Sequence, residues 1–227
     1  MTTTSAAPAP AAGLRGRKRE RTRRSIADAA FRLFAERGFD GVTLGQIAAE
    51  ADVAPATVFT HYGSKEDIFF SRRQEFDDSL PGAVAPARTA EELIEGLRAN
   101  YAAKVAQVLD PEAEDASRTF ARILLASPAL HRCHTAAVDA RREMLLNLLV
   151  ERAGPRGADP VTRAELALFA GFAGSVGVVA FEAMRTHLAA GSPLDETAAA
   201  VHDLLVAGFT RLARSYADSG LLDASGR

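Results

Sequence analysis

The chain is 227 residues long, 48% hydrophobic and 25% charged, which fits one or two globular domains and excludes a wholly disordered polypeptide. Its single cysteine, Cys133, excludes an intramolecular disulfide framework and a zinc ribbon. The net charge is −2, but residues 15–24 hold seven cations against one acid, Glu20. A short basic segment on an otherwise acidic chain aims a local positive field at a polyanion; a solvated, flexible tail would have the same composition.

Residues 1–14 are rich in Thr, Ser, Ala and Pro, with no apolar run after a basic start. They read as a disordered leader rather than a secretory signal. Beyond them the hydrophobic period is helical nearly throughout, with no convincing alternating strand, so the fold class is all-α. A first helix is expected over 21–37, with Ile26, Ala27, Ala30, Phe31, Leu33 and Phe34 as its apolar stripe and Gly38 closing it. A second begins at Thr43, where Gln46 three residues on completes a capping box, and ends near 51. A third opens on Pro55, which suits a first helical position, and ends near 62. A fourth spans about 64–80. After Pro81, Gly82 and Pro86, longer helices are expected over 90–109, 112–126, 128–153, 162–190 and 194–217, each bounded by Pro or Gly. The longest apolar stretch, 166–181, contains three glycines and falls short of the roughly 20 residues of a membrane helix, so it reads as a buried helix with no membrane partner. About nine helices, short ones first, imply a small N-terminal unit and a six-helix bundle.

The informative stretch is 43–65, TLGQIAAEADVAPATVFTHYGSK. Two short helices joined by a tight turn make a helix-turn-helix if their crossing packs closely. Ala48 is small where the helices would approach, Val58 falls on the inward face of the second, and Asp52 sits at the turn, where a left-handed conformation is required. A generic helical hairpin would satisfy the same pattern.

The segments 34–39 (FAERGF), Thr43 with Ile47 and Ala48, and Val53 through Ser64, Lys65 and Glu66 resemble the N-terminal domain of TetR-family transcriptional regulators. The resemblance is dense over about residues 20–70 and architectural beyond. A weaker similarity of 124–130 and the following helix points to the branch with acyl-CoA-like ligand domains. Three positions depart from the family pattern. Asp52 replaces the usual turn glycine and Ala54 the usual capping serine, a loss of typically ~1 kcal/mol. Phe59 replaces a tyrosine, removing one phenolic phosphate contact.

The resemblance implies a helix-turn-helix DNA-binding domain over 15–65, a ligand-binding and dimerisation domain over 66–218, and a tail over 219–227. In the DNA-binding domain, Pro55, Ala56, Thr57 and Thr60 would face the major groove. His61 or Tyr62 and Lys65 would approach phosphates, although Phe59 and Tyr62 equally suit core positions. Thr43 and the basic residues Arg15, Arg17, Lys18, Arg19 and Arg21 complete the candidate DNA-contacting set. Pro55 and Ala56 have no hydrogen-bonding side chain and can meet only a thymine methyl, so direct readout is thin.

In the large domain, the family's arrangement pairs the last two helices of each subunit. Candidate interface residues are Gly171, Gly174, Val178, Val201, Leu205, Gly208, Phe209 and Leu212, although packing within one chain needs the same faces. Candidate pocket residues are Tyr101, Phe120, Leu124, Met144, Leu148, Phe169, Phe172 and Val176, whose apolar character favours a hydrophobic or amphipathic effector, acyl-CoA-like by the weaker resemblance. His131, Cys133 and His134 lack a fourth ligand and do not share one helix face, so no metal or other cofactor is expected. The 171–177 glycine run has neither a preceding strand nor a following lysine to make a phosphate loop, and no Gly-x-Ser-x-Gly elbow occurs. The expectation is therefore a cytoplasmic, homodimeric, ligand-responsive repressor acting on a palindromic operator in double-stranded DNA, and not an enzyme. A helical interaction module with a basic N-terminal arm, or a helical-bundle enzyme, are the alternatives.

Overall fold

The computed structural model describes residues 13–71, 79–216 and 219–223. Most of the expected leader, the later part of the expected fourth helix and the last four residues lie outside them. Among the described residues the fold is all-helical: α1 (Leu14–Arg37), α2 (Leu44–Glu50), α3 (Pro55–His61), α4 (Lys65–Phe70), α5 (Leu80–Val84), α6 (Ala90–Val108), α7 (Glu114–Ala126), α8 (Pro128–Ala153), α9 (Pro160–Ala190) and α10 (Leu194–Tyr216), with 3-10 turns at Pro111–Ala113 and Gly154–Ala158. Among the described residues Leu80–Val84 is a further short helix, with Pro81 accommodated in its first turn. The chain divides after Ser71 into two compact units, six residues beyond the expected limit at 65, because α4 packs against α1 in the first unit.

The first unit is built on aromatic rings. Phe69 of α4 stacks on Phe31 of α1 at 5.5 Å between centroids, and Phe34 and Phe39 close the cluster at 4.9 Å from each other. Phe34, Phe39 and Phe69 are buried with Ile26, Ile47 and Val58. Burial of this kind stabilises by roughly 1.5–3 kcal/mol per large side chain, which is what lets helices of six or seven residues persist. α1 begins at Leu14, seven residues ahead of expectation. Arg, Lys, Glu and Leu are all good helix formers, so the basic run continues the helix toward the N-terminus instead of forming a loose arm.

In the second unit α9 is the central helix, packing most extensively on α10 and also on α6, α7 and α8. It is long and apolar enough to cross a membrane by length and composition. The bundle accounts for part of its apolarity, since Leu166, Phe169, Ala170, Ala173, Gly177, Ala180, Met184 and Leu188 are buried there. Gly191 ends α9 in the left-handed conformation (φ 81°). Arg118 of α7 donates to the carbonyls of Leu188 and Ser192 at 3.1 and 2.8 Å, satisfying acceptors at that helix end.

Residues 219–223, expected as part of a tail, are docked. Leu221 and Leu222 are buried in the bundle core. Arg152 of α8 donates to the carbonyls of Leu222 and Ala87, and Arg156 to those of Gly220 and Asp223. The Asp223 carboxylate accepts from the Ala90 amide at 3.0 Å. The C-terminal segment thus clasps the start of α6.

Candidate nucleic-acid interface

The helix-turn-helix is assembled from local rules. Thr43 caps α2: its hydroxyl accepts from the Gln46 amide at 3.3 Å, and the Gln46 side chain accepts from the Thr43 amide at 2.8 Å. After α2 the chain reverses at Asp52, whose φ of 53° is the one positive value at a non-glycine among the described residues. Ala54 precedes α3 with no side-chain cap, and Pro55 opens the helix. Val58 and Ala48, both buried, let α2 and α3 cross closely. Arg32 of α1 pairs with Glu50 of α2 at 3.0 Å; both are well exposed, so the pair contributes little.

This packing leaves Pro55, Ala56, Phe59 and Thr60 exposed on α3, with Thr57 and His61 half-buried. Phe59 keeps 59% of its surface open, so it is a surface ring and not part of the core. The Thr60 hydroxyl donates to the Ala56 carbonyl at 2.9 Å, which commits its proton within the helix. Arg17, Lys18, Arg19 and Arg21 are exposed on the first turns of α1. Lys18, Arg19 and Thr22 share a shallow, open cleft with Thr60 and His61, which brings the basic end of α1 beside α3. There, partial burial and the charges of Arg19 and Arg23 hold the His61 imidazole below its ordinary pKa, against a smaller opposing effect from Glu20.

Two expected phosphate contacts also do structural work within the unit. Tyr62 is buried, and its hydroxyl donates to the Arg23 carbonyl at 3.1 Å while the Arg23 guanidinium lies over its ring at 5.1 Å. It ties the end of α3 to α1. Lys65 Nζ donates to the carbonyls of Phe39 and Val42 at 2.8 and 2.9 Å and lies over the Phe39 ring at 4.4 Å. Two of its three protons are therefore spent holding the α1–α2 connection. Thr43, likewise, uses its side chain as a cap.

In the second unit the expected pocket residues separate. Tyr101, Leu124 and Phe169 are buried, Tyr101 against Phe181 and Phe209 and Phe169 against Tyr216. Phe120, Leu148 and Val176 are half-buried, whereas Met144 and Phe172 are exposed. The expected interface set separates too. Val201, Leu205, Phe209 and Leu212 belong to the chain's own core, and Gly208 admits the Val176 side chain, closing the α9–α10 crossing within one chain. Gly171, Gly174 and Val178 are half-exposed. An apolar stripe not expected as such runs down the outer face of α9: Val161, Leu168, Phe172 and Val179 are 67%, 56%, 52% and 53% exposed. Its spacing of seven, four and seven residues keeps one helix face. Among the described residues no group of His, Cys, Asp and Glu is arranged to hold a metal ion.

A short helix pair with this turn, an exposed second helix and a basic flank define a helix-turn-helix DNA-binding unit. The family described as bacterial regulatory proteins, tetR family, matches over residues 26–71. The chain is 31% identical over 102 residues to the HTH-type transcriptional regulator TcmR of Streptomyces glaucescens, covering 45% of each. It is 28% identical over 144 residues to the regulator MftR of Mycobacterium tuberculosis, covering 63% of this chain and 72% of that one. In fold it is similar to NalD, the secondary repressor of the MexAB-OprM multidrug efflux pump in Pseudomonas aeruginosa, at 20% identity over 84% of this chain and 96% of that one, with a TM-score of 0.50. Residues 26–71 thus match the DNA-binding region of the TetR family of bacterial transcriptional regulators. The matched stretch is less than half the length of TcmR.

Proposed function

We propose that this chain is a ligand-responsive, homodimeric regulator that represses transcription from a palindromic operator and is released by a hydrophobic or amphipathic small molecule. The observation that carries the reading is the exposed face of α3 beside the exposed cations of α1, a surface shaped for a major groove and charged for its phosphates. The outer stripe of α9 supports self-association: four large apolar side chains in line are a patch that a second copy related by a two-fold axis would cover. The expected pairing of the last two helices agrees with it in using α9, with the outer stripe joining Gly171, Gly174 and Val178 in place of the buried residues of α10.

Two recognition helices about 34–36 Å apart would enter successive major grooves. An effector that binds the second unit more tightly in a differently spaced state would lower operator affinity by the ratio of its two affinities. The half-buried Phe120 and Leu148 give such an effector apolar contacts. The site of action is the cytoplasm, where the DNA lies.

The test is a gel shift on promoter DNA adjacent to the chain's own gene, using a duplex that carries an inverted repeat and a scrambled control, across a salt series. Specific retention that weakens steeply with salt supports the reading. Equal, weak retention of both duplexes sinks it.

A further inference from the structure

The α3 surface is unusual in what it lacks. Its seven residues, Pro-Ala-Thr-Val-Phe-Thr-His, contain no Arg, Lys, Asn or Gln, the side chains that read purines by paired hydrogen bonds. The face left open consists of the Pro55 ring, the Ala56 methyl, the Phe59 ring and Thr60. Phe59, at 59% exposure, is the largest group there. The Thr60 proton is committed to the Ala56 carbonyl, so the hydroxyl cannot donate to guanine or thymine oxygens without giving up that bond. What α3 presents outward is mostly carbon, with the Thr60 oxygen left as an acceptor.

The major-groove edges offer one apolar feature, the C5 methyl of thymine; every other recognition group there is a donor or acceptor that would lose water against carbon without recompense. The exposed cations Lys18 and Arg19, sharing a cleft with Thr60 and His61, bring the polyanion to this face by charge. We infer that α3 reads its half-site through thymine methyls, with Phe59 as the principal contact and Ala56 and Thr60 beside it. The inference rests on the regulator reading and specifies which operators it accepts: half-sites with thymine at the steps facing α3.

Duplexes retained by the full chain from a random-sequence pool are remade with deoxyuridine for thymine, which removes the C5 methyl and leaves every hydrogen-bonding group in place. Affinity is expected to fall about fourfold per contacted methyl, the equivalent of ~0.8 kcal/mol, with an unchanged salt slope. Phe59→Ala, a change at an exposed ring, is expected to reduce the difference between thymine and uracil duplexes. Thr60→Val, which swaps the committed hydroxyl for a methyl, is expected to preserve it. Equal affinity for both duplexes, or half-sites without thymine, overturns the inference while the regulator reading stands. A pool that yields no retained duplex overturns both.

Discussion

The ring of Tyr101 occupies the space that a Cβ on Gly177 would need. The glycine spacing 171, 174, 177 on α9 therefore has two meanings along one helix. Above Gly171 and Gly174 there is open space, whereas Gly177 is the floor on which α6 sets its tyrosine.

Gly177→Ala is expected to destabilise the second unit by about 1–3 kcal/mol, because the tyrosine ring must shift within a packed core. Gly174→Ala escapes that clash and gains up to ~1 kcal/mol of helix propensity. Denaturant midpoints of the two variants check the contrast; equal shifts would contradict the Tyr101 packing.

Phe172→Glu and Phe209→Glu should part company. Phe172 lies on the outer stripe, so its variant should sediment as a helical monomer with little specific operator affinity. Phe209 is 1% exposed, so its variant buries a carboxylate and should lose several kcal/mol of stability or fail to fold. A dimeric Phe172→Glu would move the interface off α9.

The basic turns of α1 should govern salt dependence. Replacing Arg17, Lys18, Arg19 and Arg21 together by Gln should lower the slope of log affinity against log salt by about 0.9 for each phosphate left without its cation, with helicity retained. A slope equal to that of the wild type would reduce the cluster to a solubilising surface.

Lys65→Met should lower the melting temperature of the first unit as well as operator affinity. Removing the ammonium leaves the Phe39 and Val42 carbonyls without that donor, a cost of about 1–3 kcal/mol. Tyr62→Phe, which removes the bond to the Arg23 carbonyl, should cost about 1 kcal/mol and leave the salt slope unchanged. Thermal melts paired with binding isotherms separate these effects.

His61 should make operator binding pH-dependent. In the DNA-free protein, burial, Arg19 and Arg23 lower its pKa from 6.5, so the unfolded chain holds the proton more tightly. Its contribution to stability is therefore present above about pH 6.5 and is lost as the pH falls through that value toward the folded one. A phosphate beside the same imidazole acts oppositely and raises its pKa, so binding takes up a proton and affinity should rise from about pH 8 to about pH 6. Wild type compared with His61→Gln across that range is the measurement; parallel curves would remove His61 from the phosphate side.

Residue by residue, the DNA-binding unit was more legible than the bundle. Thr43 and Gln46 declare a capping box by spacing alone, Asp52 is among the few residues that tolerate the turn, and Ala54 has no side chain with which to cap. Such features are local, and local rules suffice for them. Tyr62 and Lys65 were harder because an aromatic or a cation beside a recognition helix fits a phosphate or a neighbouring carbonyl equally well until the loop at 39–42 is placed. α9 was hardest. It is apolar on several faces, so period alone does not say which stripe meets α10 and which lies outside. Leu221 and Leu222 were missed because two leucines amid small and polar residues give no period at all.

The docking of Leu221 and Leu222, with Arg152 and Arg156 gripping the chain around them, has a consequence for synthesis. The second unit needs residues 219–223 to fill its core and to engage the Ala90 amide, and these are made after every helix described. Helices emerging earlier can form and collapse, but the clasp cannot close until residue 223 has been made. A nascent or prematurely terminated chain can therefore complete its DNA-binding unit while its bundle stays unfinished. A stop codon just before residue 219 should therefore damage the bundle as much as a lesion in the middle of it.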